Sequence, residues 1–123
     1  MPRRVAEDQT REDRIVFDIV VDAYNETERA LGWYYYLQDE LQFPFAARVR
    51  ALRNTSPLKV GQKIEVLTMA PEDDCMSEVQ VMVKIGQSKL AVPLDQLESE
   101  SMHEDTTQGV ADWHYWRARG YEF

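Results

Sequence analysis

At Pro44 the hydrophobic period of this chain changes from that of a helix to that of a strand. Before it, Val16, Val20, Ala23, Thr27, Ala30, Tyr34, Leu37 and Leu41 recur at alternating spacings of four and three, and Ile19, Tyr24, Leu31 and Tyr35 widen the same face. The spacing predicts one long helix over residues 14–41. Pro44 cannot be accommodated inside it, so Phe43-Pro44-Phe45 is the exit. Gly32 interrupts the pattern at about 1 kcal/mol relative to Ala, and marks a kink, a break between two helices, or a close contact. Residues 1–13 are polar and aperiodic and are expected to form a flexible arm.

Beyond Pro44 the residues alternate. Residues 45–52 read as a first strand and 62–69 as a second. Residues 78–85 are the clearest, with Val79, Val81, Val83 and Ile85 on one face and Gln80, Met82 and Lys84 on the other. Asn54-Thr55-Ser56-Pro57 and Gly86-Gln87-Ser88 are turns, and residues 70–77 are an acidic one. Leu90-Ala91-Val92-Pro93-Leu94 is a short strand whose proline suits an edge or an end. Residues 95–105 read as an acidic loop, or as a short helix at Asp95-Gln96-Leu97. Residues 106–119 form a second helix with Thr106 or Thr107 as N-cap and Gly120 as its stop. The expectation is an α+β fold: a long N-terminal helix packed on a small SH3-like antiparallel β-barrel, with a short C-terminal helix bringing Trp113 and Trp116 to the other side. At 123 residues, the chain is expected to be a single domain over 1–123.

Charge narrows the partners. Twenty-two acidic residues against fourteen basic ones give a net charge of −8, which disfavours nucleic acid and anionic membranes and favours cations or a basic protein. The charge is segmental: net −5 over residues 1–41, +4 over 42–71, −7 over 72–105 and zero over 106–123. Folding can pair these blocks or separate them. The single cysteine, Cys75, forbids an internal disulfide, and the start lacks the apolar run of an export signal, so a reducing, cytoplasmic setting is expected.

Four constellations can carry chemistry. Asp39 and Glu40 stand at a helix C-terminus, where the helix dipole disfavours anions and a cation reverses the sign. Glu72-Asp73-Asp74 place three carboxylates in a tight turn, oxygen-rich in the way Ca²⁺ takes, although the turn lacks the glycine and alternating spacing of an EF-hand. For both, an ordinary solvated surface is the plainer alternative. Asp18, Asp22 and Glu26, four apart, read as a solvated helix face. Asp112 and His114 are the only pair resembling a catalytic or transition-metal site, but with two histidines and no matching spacing zinc is disfavoured. No nucleophile elbow, P-loop or dinucleotide fingerprint occurs, and Cys75 beside three acids is a poor thiolate. The chain does not read as an enzyme.

Several strings resemble a known family. Val21-Asp22-Ala23-Tyr24, Glu28-Arg29-Ala30-Leu31-Gly32-Trp33-Tyr34-Tyr35-Tyr36-Leu37 and Phe43-Pro44-Phe45 resemble the first half of the cyanobacterial CcbP-type calcium-binding proteins. Ser56-Pro57-Leu58, the stretch 66–75, Leu90 to Leu94, Asp112-Trp113-His114-Tyr115-Trp116 and Gly120-Tyr121 extend the likeness. The resemblance implies a small acidic protein that takes Ca²⁺ without EF-hands, through surface carboxylates, and that buffers or senses cytoplasmic calcium. In filamentous cyanobacteria such a protein is linked to cell differentiation. The binding role is carried to Asp39, Glu40, Glu72, Asp73 and Asp74, and more weakly to Asp22, Glu26 and Asp112. The competing expectation is an acidic interaction module that docks a basic protein without metal.

Overall fold

The computed structural model describes residues 8–20, 23–53 and 56–120. The chain is α+β. Helix α1 (Gln9–Arg14) runs into a π-helical turn (Ile15–Ile19), and helix α2 (Glu26–Glu40) follows. Strands β1 (Phe45–Val49), β2 (Lys63–Met69), β3 (Gln80–Ile85), β4 (Ser88–Pro93) and β5 (Leu97–Ser99) come next, with 3-10 turns at Glu72–Cys75 and Leu94–Gln96, and helix α3 (Glu104–Ala118) ends the fold.

The expected single helix over residues 14–41 is divided. The divider is a reciprocal cap: the Asn25 side chain accepts from the Glu28 N–H at 2.8 Å, and the Glu28 carboxylate accepts from the Tyr24 N–H at 2.8 Å. Two orphan amides at the start of α2 are thereby satisfied, which a continuous helix would not require. With the phase broken, the first segment turns on its axis. It buries Ile15 and the expected Ile19, leaves Val20 half-buried against the core, and exposes Val16, which was expected inside, together with Phe17. Downstream, Ala30, Tyr34, Leu37 and Leu41 are buried as the spacing predicts, together with Trp33. Of the arm expected over 1–13, residues 1–7 lie outside the described residues, and Gln9–Arg14 are helical, with the Asp8 side chain accepting from the Arg11 N–H.

Gly32 is a close contact. A Cβ there would sit 2.4 Å from the Ile19 carbonyl oxygen, so the π-helical turn lies directly on α2. Gly109 plays the same part between α2 and α3, where a Cβ would meet Leu41 at 3.2 Å and Glu40 and Leu37 at 3.5 Å.

The sheet order is β4-β3-β2-β1-β5, every neighbouring pair antiparallel. Ile85 pairs with Ser88 across a two-residue turn in which Gly86 takes φ +59°. The outer strands β4 and β5 are joined by a 3-10 turn and do not pair with one another, so the five strands form an open sheet where a closed SH3-like barrel was expected. Strand β5 falls in the stretch expected to be loop, and pairs Ala47 with Ser99 and Val49 with Leu97. Three residues with one buried position are too few for alternation to register as a strand. Helix α3 starts at Glu104, not at Thr106. Thr106 is buried in its first turn, and its hydroxyl accepts from the Gln42 N–H at 2.8 Å, which joins α3 to the end of α2. Helices α2 and α3 are equal at 15 residues each, so neither is the long one.

Between helices and sheet lies one core. Its aromatic centre is Trp33, edge-to-face with Trp113 at 5.1 Å and 5.8 Å from Trp116, in one core with Val66, Val81 and Val83 of the sheet and Val79 just before β3. At its rim sits a charge. Asp112 is fully buried, with Arg11 Nε at 3.1 Å and Arg14 Nη2 at 2.5 Å from one oxygen, and the Tyr36 hydroxyl donating to the other at 2.8 Å. One carboxylate therefore ties α1, α2 and α3 together.

Two stability predictions follow from these contacts. Gly32→Ala gains helix propensity but drives a Cβ into backbone, and is expected to destabilise by about 1–3 kcal/mol in urea denaturation; a stabilised variant contradicts the close contact. Asp112→Asn leaves two guanidiniums facing a neutral amide. Because the arginines keep 27–32% exposure, the cost is expected at about 2–4 kcal/mol. A loss below about 1 kcal/mol would show that the three helices are held by apolar packing alone.

Candidate metal centre

The segmental charges are paired by folding. Arg48 bonds Glu100 at 2.7 Å, Arg50 bonds Asp95 at 2.6 Å, and Arg53 bonds Glu78, which Arg117 also approaches at 3.6 Å. The basic middle of the chain thus neutralises much of the second acidic block. Among the described residues, no lysine or arginine pairs with Asp39, Glu40, Glu72, Asp73 or Asp74. These are the five carboxylates singled out from the sequence.

Their placement is set by α2. Tyr34 donates to the Ala70 carbonyl at 3.0 Å and Tyr35 donates to the Glu72 carboxylate at 2.7 Å, so the middle of α2 lies against the acidic turn. Asp39 continues the Tyr35 row one turn on, and Glu40 continues the Tyr36 row that faces Asp112. Asp39 is therefore on the side of the turn at Glu72, whereas Glu40 lies against α3 beside Gly109. Burial raises the Glu40 carboxyl above the usual glutamate range, and the neighbouring Asp105, Asp112 and Asp39 raise it further, against a smaller opposing effect of Arg14. Asp105 is the acid that sequence reasoning missed. It reads as loop in the sequence, and only the α3 boundary at Glu104 brings it to Glu40.

In the acidic turn the Asp74 N–H bonds the Pro71 carbonyl at 2.9 Å, and Cys75 closes it facing inward. Asp73 and Asp74 are exposed, and Glu72 is half-buried. Burial raises the Cys75 thiol, helped by Asp74 and Glu72, and its sulfur meets the Gln80 backbone at 3.4 Å. It is a packed core residue, not a soft-metal ligand.

Among the described residues, no three of His, Cys, Asp and Glu converge on one point. The carboxylates are thus two half-sites on either side of the end of α2, without a preformed cage. Their chemistry suits a hard cation: all oxygen, with no imidazole or thiolate in reach. Beyond Leu41, whose N–H takes the Leu37 carbonyl, no helical donor among the described residues serves the last carbonyls of α2, and their oxygens are of the kind a hard cation takes.

The weaker candidates separate. Asp18 and Glu26 are exposed and stand on different segments, and Asp22 lies outside the described residues. Asp112 has both oxygens engaged by arginine and tyrosine. His114, two residues on, points to the other side of α3. Burial lowers its pKa there, as does Arg50, while Asp95 and the backbone of Leu94 and Leu97 oppose the shift. The catalytic pair suggested by Asp112 and His114 is not assembled.

Comparison with known proteins bears directly on this arrangement. A family model described as calcium binding, for CcbP-type proteins, matches residues 13–117. A crystal structure of Anabaena CcbP superposes with a TM-score of 0.86 at 42% identity, covering 97% of this chain and 98% of that one. A structure described as a calcium binding protein in the calcium-binding form superposes at 0.84, again at 42% identity, over 94% of this chain and 95% of the other. No curated protein matches the chain significantly. Over this span the chain belongs to the CcbP calcium-binding family.

Proposed function

We propose that this protein is a non-EF-hand calcium-binding protein that buffers or senses cytoplasmic Ca²⁺ through surface carboxylates. Asp39, Glu40, Glu72, Asp73 and Asp74 are its ligands in this reading, with Asp105 added to the Glu40 side. The observation that carries it is the 42% identity, over nearly the whole chain, to a protein whose structure is that of a calcium-binding form. The carboxylates left without a cation partner support the placement. Ca²⁺ accepts six to eight oxygens at about 2.3–2.6 Å in loose geometry, so it can gather side chains, helix-end carbonyls and water, where Mg²⁺ demands a strict octahedron. Bound there, the ion relieves the mutual repulsion of the acids and the unfavourable helix-dipole field. We read the chain as one domain. We read its open five-stranded sheet as a variant of the SH3-like barrel, on the ground of the strand order and the 3-10 turn before the last strand.

A catalytic role is not part of this reading, since the residues that would support one stand on opposite faces of α3. The interaction-module reading keeps one specific support: Val16 and Phe17 are 45% and 69% exposed on the π-helical turn, beside exposed Asp13 and Asp18. An apolar tip with an acidic rim suits a basic amphipathic segment. Salt-sensitive association lost in Phe17→Ser, with and without chelator, distinguishes that role.

Calorimetry on chelator-treated protein tests the main reading. It should give heat with Ca²⁺ well above that with Mg²⁺, and saturation at about 100 Kd should stabilise the fold by about 2.7 kcal/mol. No heat and no shift at millimolar Ca²⁺ would overturn it. Asp73→Asn with Asp74→Asn should weaken binding by about tenfold, or about 1.4 kcal/mol; unchanged affinity excludes the turn.

Acidification provides a further check. Because the folded-state pKa of Glu40 is raised, its protonated form is favoured in the native state, so its contribution to stability is greatest below the ordinary glutamate pKa and is lost as pH rises through the raised one. Calcium needs the ionised form. Affinity should therefore begin to fall on acidification above the usual carboxylate range, and that early loss should vanish in Glu40→Gln.

A further inference from the structure

Strand β4 is one edge of the open sheet and pairs with β3 alone. The register decides which of its backbone groups are used. Ile85 and Ser88 flank the two-residue turn, so they form a hydrogen-bonded pair, and bonded and non-bonded pairs alternate from there. Val83 with Leu90 and Val81 with Val92 are bonded; Lys84 with Lys89, Met82 with Ala91 and Gln80 with Pro93 are not. Pro93, which has no N–H to give, falls at a position that needs none. The N–H and C=O groups of Lys89 and Ala91 therefore point away from β3, and no other described strand or loop backbone takes them. Ser88 and Lys89 are exposed, Leu90 and Ala91 are half-buried, and Val92 and Pro93 are buried, so the open stretch of the edge is residues 88–91.

The side chains beside this edge carry an unrelieved charge. Residues opposite one another in an antiparallel pair share a face, so one lane across β2, β3 and β4 runs Glu65, Lys84, Lys89. Like charges directly opposite destabilise a sheet, and Lys84 with Lys89 is the non-bonded kind of pair, whose side chains stand closer. Both lysines are exposed, and neither forms an ion pair among the described residues, although Glu65 stands opposite Lys84. Two cations against one acid leave the lane positive in a chain whose net charge is −8. Next to it on the same face Met82 lies opposite Ala91, and on the other face Leu90 is packed against the core with its outer side open.

We propose that the β4 edge takes an extended segment of a partner protein as a sixth strand, with a carboxylate beside Lys89 and an apolar side chain beside Leu90. The main chain of that segment bonds the outward groups of Lys89 and Ala91, which is strand addition, and its alternating side chains supply the specificity. The carboxylate continues the lane from Glu65 through Lys84 and Lys89 and offsets the repulsion of the two lysines. A second copy of this chain does not do so: β4, Ser88-Lys89-Leu90-Ala91-Val92-Pro93, holds no acid, and edge-to-edge pairing of two copies adds lysines to the lane. The surface selects an acidic partner, in contrast to the exposed Val16 and Phe17 with their acidic rim. It is independent of calcium, since none of the candidate carboxylates stands on β3 or β4.

The test uses the whole chelator-treated protein and three short labelled peptides with blocked ends: alternating glutamate and valine, the same composition in two blocks, and alternating lysine and valine. By fluorescence anisotropy the alternating acidic peptide should bind about tenfold more tightly than either of the others. At saturation it should slow exchange of the Lys89 and Ala91 amides by about threefold, with a smaller change at Leu90, whose amide is already bonded to Val83. No binding of the acidic peptide at millimolar concentration overturns the proposal. Equal binding of the block-ordered or the lysine peptide overturns it, as does binding without slower exchange at Lys89 and Ala91. Lys89→Glu keeps every backbone bond of β4 and should weaken the acidic peptide by about tenfold; unchanged affinity also overturns the proposal.

Discussion

Asp112 sits entirely out of water, and three helices meet at it. An isolated carboxylate in that position costs several kcal/mol, so the fold is tenable only if its partners arrive together. They come from three places: Arg11 and Arg14 from α1, Tyr36 from α2, and the acid itself from α3. A buried charge of this kind is weak support for stability compared with apolar packing, but it specifies geometry. Tyr36 must face α3, which turns Tyr35 toward the acidic turn and sets the directions of Asp39 and Glu40 one helical turn later. The location of the acidic end of α2 is thus a consequence of a carboxylate whose oxygens are engaged by arginine and tyrosine.

The same logic organises the surface. A chain of net charge −8 could spread its repulsion evenly. Instead, Arg48, Arg50 and Arg53 draw Glu100, Asp95 and Glu78 into pairs around the open sheet. Exposed pairs of this kind contribute little each, at most about 1 kcal/mol. Their larger effect is subtraction. Once they are made, the uncompensated negative potential concentrates at the end of α2, the turn at Glu72 and the first turn of α3.

Much of this was readable from residue order. Pro44 placed the exit of α2, the valine alternation placed β3, and Gly120 placed the end of α3. What escaped the pattern did so for physical reasons. A hydrophobic stripe ran on through Asn25 because segments on both sides bury against the same core, and only the Asn25–Glu28 spacing of a capping box announced a new helix. Strand β5 has too few residues to show a period, and its identity comes from pairing with β1, a contact remote in sequence. Asp105 was hidden by the same boundary error. The candidate carboxylates were nameable from charge and element ends, but their division between two faces of α2 depended on Tyr35 and Tyr36 choosing different partners, which spacing alone does not decide.

That division bears on what kind of calcium protein this geometry makes. A rigid cage pre-pays the repulsion of its carboxylates and holds its ion tightly. Here the acids are dispersed over two faces, Glu40 is partly desolvated, and closing them on an ion requires movement of side chains on exposed segments. In the proposed site, affinity is set against the cost of gathering ligands, and selectivity follows from Ca²⁺ tolerating an irregular set while Mg²⁺ retains its water.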